Sequence, residues 1–189
     1  MTDTIIADIS RNKLLKIAAG GLVSGVLTPL LPDVIDKLTG APGMLRLALV
    51  ALPFAVLVFF VVRRRSSNPV WAALAAAVVT MVAFVGAVNA AIFIDGQMAG
   101  AAKAMRSLFA GLAGGLVGSG LMALGIALLP AGPRKAEAWM PMLVTGTVAG
   151  ALLALDTSLG LDRTSFLYPV WQAAVGVRLA LALRRARSS

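Results

Sequence analysis

Neither cysteine nor histidine occurs in this chain of 189 residues. The first absence removes disulfides, thiolate metal sites and a cysteine nucleophile. The second removes the commonest metal ligand, the usual axial ligand of haem and the readiest proton shuttle near neutral pH. Together they argue against histidine-ligated b-type cytochromes and zinc-dependent intramembrane hydrolases, and no cofactor or metal site is expected. Charge is scarce as well. Charged residues make up 13% of the chain, where a soluble domain carries about a quarter. No glycine-rich phosphate loop ending in Gly-Lys-Ser or Gly-Lys-Thr is present. The apolar stretches hold no close pair of carboxylates from which a general acid and base could be drawn. Catalysis is therefore not expected.

What fills the chain is apolar: 59% of it falls in the hydrophobic class and the mean hydropathy is +0.91. Two uncharged runs, Val70–Ile94 and Leu108–Leu129, flank a polar bridge from Asp95 to Ser107. Each exceeds the roughly 20 residues that a helix needs to cross about 30 Å of hydrocarbon. The chain then reads as a single all-α integral membrane domain of about six transmembrane helices, near residues 14–31, 44–62, 70–94, 108–129, 140–157 and 166–183. A short interfacial helix over 1–13 precedes the first span, which either crosses or is re-entrant. Loops are expected from Pro32 to Gly43 and from Ala131 to Ala138, with a kink at Pro53. Trp71, Trp139, Tyr168 and Trp171 sit where interfacial aromatics mark helix ends.

With six spans the loops alternate between sides. One side collects Arg11, Lys13, Lys16, Arg63, Arg64, Arg65, Arg134, Lys135, Arg184, Arg185 and Arg187. The other receives Lys37, Lys103, Arg106 and Arg163, with Asp33, Asp36, Asp95 and Asp162 among them. Basic loops stay cytoplasmic, so both termini are expected there, in the cell (inner) membrane and against anionic lipid headgroups. The net charge of +9 has this explanation rather than nucleic acid, because no helix or sheet outside the spans would carry a groove reader.

Short matches recur in the same order along the chain. Ala-Gly-Gly-Leu-Val occurs at 19–23 and 113–117, Leu-Leu-Pro at 30–32 and 128–130, and Pro-Val-Trp at 69–71 and 169–171. They suggest two three-helix halves, 1–94 and 95–189. An odd number of spans per half would place the second half in the membrane the other way up, a plan that sets a transporter's site at the midplane between halves. The second and fifth helices show no such match.

Polar residues at membrane depth are few, and five stand out as solute ligands: Arg46, Asn89, Asp156, Gln172 and Arg178. Converging, they would suit a polar or anionic solute. Arg46 and Asp156 also lie near an interface, and Arg178 is placed to snorkel. Thr80, Ser119, Thr145 and Thr147 add hydroxyls, which often bond their own helix. Gly21 with Gly25, Gly111 with Gly115, and Gly146 with Gly150 are small residues at four-residue spacing, the pattern of close helix packing. The functional expectation is a small transporter or channel, or the membrane component of one, acting as a homo-oligomer or with a membrane-complex partner. The alternative is a non-catalytic subunit or scaffold that packs on a larger membrane complex through its glycine faces.

Overall fold

The computed structural model describes the backbone of residues 2–40, 43–161 and 164–188, and the side chains of 11–40, 43–161 and 164–184. Asp162, Arg163 and the side chains of Arg185 and Arg187 lie outside the described residues. All described secondary structure is helical. The elements are α1 (Thr2–Leu27), a 3-10 turn (Thr28–Leu30), α2 (Leu31–Thr39), α3 (Gly43–Val50), α4 (Leu52–Arg65), α5 (Val70–Gln97), α6 (Lys103–Ala127), α7 (Ala136–Gly150), α8 (Leu152–Ser158) and α9 (Leu167–Ser188).

The expected loop after Pro32 is instead helical. Pro29 and Pro32 fall at the opening of the 3-10 turn and of α2, where a missing N–H leaves no bond unmade. The chain from Arg11 to Thr39 thus runs as one apolar helical stretch, and Gly40 ends it with a left-handed φ of 56°. The separate helix over 1–13 is absent too, because α1 begins at Thr2 and runs straight on. The expected second helix divides at Ala51 into α3 and α4, bent by 51°. Pro53 stands at the start of α4, where it has no intrahelical donor to lose. The fifth is interrupted by a turn at Ala151, between α7 and α8, yet continues as one stretch from Ala136 to Ser158. The bridge from Asp95 to Ser107 is shorter than its polarity implied: α5 continues to Gln97 and α6 starts at Lys103. Arg106 makes a two-pronged ion pair with Asp95 across the hairpin, so neither charge forces the helices to end.

Among the described residues four helical stretches are long and apolar enough to cross a membrane, and five if α3 and α4 form one broken span, where six were expected. α9 is not among them. It carries Gln172, Arg178 and the closing arginines and is packed by α1, α4 and α7 with Val175, Leu179 and Leu183 fully buried, so the expected sixth span is not among the helices apolar enough to cross. Around α9, α7 packs on α6, α6 on α5 and α5 on α4, which returns to α1.

Size sorts opposite to a soluble protein. The inward face of α5 is Ala72, Ala73, Ala76, Thr80 and Ala83, while Leu74, Val78 and Val82 face outward, Val82 at 58% exposure. Val144 and Val148 on α7 and Leu124 on α6 are likewise exposed. So large an outward apolar surface is compatible with a lipid surround, where helix association is driven by close packing of small residues.

Those small residues are glycines at the helix crossings. α1 runs antiparallel to α9 with Gly25 against the backbone of Pro169 and Gly21 against Ala173. α6 runs antiparallel to α7 with Gly111 facing Gly150 and Gly115 facing Gly146, backbone on backbone. A Cβ at any of the six would overlap a neighbour's backbone or the Ser119 side chain.

Candidate functional site

Where α4, α5, α6 and α9 fail to close on one another, with the α7–α8 break alongside, they leave a cleft of about 210 Å³. Its inner end lies among Phe54, Thr80 and Met122, all buried. Its outer end reaches Ile92 on α5, 64% exposed. The twelve-residue run from Thr80 to Ile92 makes the cleft about 18 Å long at 1.5 Å per residue. The wall is apolar and aromatic, with glycines 111, 114, 115 and 150 making room along one side. Phe84 tilts on Tyr168 with ring centroids 6.0 Å apart, and Phe54 meets Trp171 edge-on at 5.8 Å.

The five expected ligands are not brought together. Gln172 alone of them lines the cleft, and its amide is turned into a clasp with α1. The Ser24 hydroxyl donates to Gln172 Oε1 at 2.7 Å, and Gln172 Nε2 donates to Thr28 Oγ1 at 2.8 Å. Asp156, 6% exposed, accepts from the Ser165 hydroxyl at 2.5 Å and from the backbone N–H groups of Phe166 and Leu167 at 2.8 and 3.2 Å. It is thus a remote cap on α9: a carboxylate satisfying the orphan donors at a helix start, where the dipole favours negative charge. Arg46 pairs with Asp36 at 2.7 Å, both well exposed, and ties α3 to α2. Asn89 is exposed and donates to the Val85 carbonyl one turn back at 2.7 Å. Arg178 is exposed and donates to Thr145 Oγ1 at 3.3 Å. The hydroxyls of Thr80, Ser119, Thr145 and Thr147 each donate to a carbonyl four residues back in their own helix. Among the described residues no three acidic side chains lie close enough to hold a metal ion.

Among the aromatics expected at helix ends, Trp139 is buried and donates its indole N–H to the Pro133 carbonyl at 2.7 Å. Trp171 reaches across from α9 to the Gly146 carbonyl of α7 at 3.0 Å. Both indoles are thus held by protein acceptors. Trp71, at the start of α5, is exposed. Sequence reasoning missed the cleft itself. Its one signal was the doubled glycine at 114 and 115, which presents small faces to α5 and to α7 at once.

The surface outside the cleft has a polarity of its own. The Ala131 N–H donates to Asn68 Oδ1 at 2.9 Å, so the loops carrying Arg63–Arg65 and Arg134–Lys135 meet. Through its antiparallel packing on α9, the start of α1 joins the same end as Arg184. The Asp36–Arg46 and Asp95–Arg106 pairs belong to the opposite end. No protein-family model, curated protein or solved structure matches this chain, so its functional reading rests on these geometries alone.

Proposed function

We propose that the chain is a small multi-pass membrane transporter or channel whose solute site is the cleft between residues 1–94 and 95–189. The observation that carries this reading is that the wall draws on both halves, Phe54 to Ile92 from one and Ala110 to Gln172 from the other. α9 serves as the sixth span. An inverted three-plus-three arrangement is supported by α4 packing on α5 as α7 packs on α9. The halves have diverged, since Trp71 is exposed where Trp171 is tied to α7. The end rich in arginine and lysine faces the cytoplasm of the cell (inner) membrane, against anionic lipid, with both termini there.

A polar or anionic solute is the weaker match, because the side chains that would have held it are spent on a clasp, a cap and surface pairs. The subunit or scaffold reading loses its main support for a similar reason: its glycine faces are consumed inside the chain. The bulky outward faces of α5 and α7 leave room for a homo-oligomer or a membrane partner.

The absence of cysteine makes the test direct. Single cysteines at Ala91, near the outer end, and at Ala123, buried beyond the inner end, would be exposed to a membrane-impermeant maleimide from each side. Transport requires Ala91→Cys to react from outside and Ala123→Cys to react from the cytoplasm in the opposite conformer. An Ala123→Cys that never reacts from the cytoplasm makes the cleft a dead end.

A further inference from the structure

We infer that the cleft seats the acyl chain of a membrane amphiphile, methyl end inward at Met122 and polar group within reach of the Tyr168 hydroxyl. The inference rests on the cleft being the solute site and specifies what occupies it.

Volume and shape come first. An apolar cavity of about 150 Å³ stays dry and takes up benzene. This one is about 210 Å³ and is drawn out along α5 over about 18 Å, which suits a narrow flexible chain better than a ring system or a solvated ion. A helix from a partner, about 10 Å across, does not fit it. Chemistry comes second. Four side chains on the wall carry polar atoms: Thr80, Tyr168, Trp171 and Gln172. Three are spoken for, Thr80 by Ala76, Trp171 by Gly146 and Gln172 by Ser24 and Thr28. The Tyr168 hydroxyl forms no hydrogen bond within the described residues, although it is not sealed from its surroundings. It stands in the first turn of α9, with its ring 6.0 Å from that of Phe84 on the cleft wall. One uncommitted hydroxyl on the wall of an apolar slot is the complement of an ester or carboxyl group on a hydrocarbon tail. Access comes third. Ile92 at the outer end faces the same surroundings as the outward Val78, Val82 and Phe93, so a chain enters from lipid without crossing water.

The test uses the intact protein in vesicles of phosphatidylethanolamine and phosphatidylglycerol that contain a phosphatidylglycerol with a diazirine at mid-chain. After irradiation, adducts are mapped by mass spectrometry. Adducts are expected on the cleft-lining positions Thr80, Phe84, Val88 and Met122 in excess of those on the outward positions Val78 and Val82. Val88→Trp, which fills the slot, should cut the cleft adducts about tenfold and leave the outward ones unchanged. Val82→Trp, on the outward face, should change neither. Tyr168→Phe preserves the wall's shape and should lower cleft adducts several-fold, which keeps the proposal testable if Val88→Trp does not fold. Equal labelling of cleft-lining and outward positions, with no dependence on residue 88 or 168, overturns the proposal. So does a crosslink from the cleft to a second protein chain in place of lipid. A parallel arm with a diazirine fatty acid tells the sources apart: stronger cleft labelling by the free acid than by the phospholipid assigns the chain to a fatty acid. Cleft adducts together with an unreactive Ala123→Cys would retain the lipid site and remove transport.

Discussion

Gln172 is 1% exposed, in the second turn of α9, with both ends of its amide held by hydroxyls of α1. Interhelical hydrogen bonds in membranes contribute about 0.6 kcal/mol on average and up to about 1.7. Gln172→Leu therefore costs ~1–2 kcal/mol for the pair of bonds, read as a lowered midpoint of denaturation in detergent. Asp156→Ala removes the cap on α9 and leaves buried donors unpaired, a loss of ~1–3 kcal/mol by the same measurement. Arg178→Gln, on an exposed side chain, should stay within about 0.5 kcal/mol. The sequence marked all three residues as unusual, since polar groups at membrane depth are rare. It did not mark their partners. Ser24 and Thr28 look like ordinary hydroxyls on α1, and only folding brings them to a glutamine more than 140 positions away.

Among elements, the glycine crossings decide how close the helices come. Gly25→Leu and Gly115→Leu place a side chain inside the backbone of α9 and α7 respectively. Neither variant should yield folded protein, measured as a monodisperse peak on size exclusion. Gly100→Leu, where a Cβ meets nothing within 4 Å, should be recovered at wild-type level. The spacing of the six glycines was legible in sequence. Which helix each one faces was not, because a four-residue spacing defines a face and not a partner. Helix limits were read least well where charge was taken for loop. Asp95, Lys103 and Arg106 all lie within helices, two of them neutralising each other, and Pro32 opens a helix instead of ending one.

For the whole molecule, the sorting of basic residues to one end makes a prediction about sidedness. In intact cells a single cysteine at Ser67, exposed at the arginine-rich end, should resist an impermeant maleimide, while one at Gly100 should react. The reverse pattern would invert the orientation. Composition and run length alone determined that this chain is built of helices long and apolar enough to cross a membrane, because length and apolarity belong to each helix separately. The tertiary structure decided everything that depends on two helices at once. It packed α9, the expected sixth span, whose polar residues leave it less apolar than the other long helices, among α1, α4 and α7. It also dispersed the five polar residues that composition made conspicuous and opened an apolar cleft at residues that composition made inconspicuous. A side chain's rarity is written in the sequence, whereas its neighbours are set by packing.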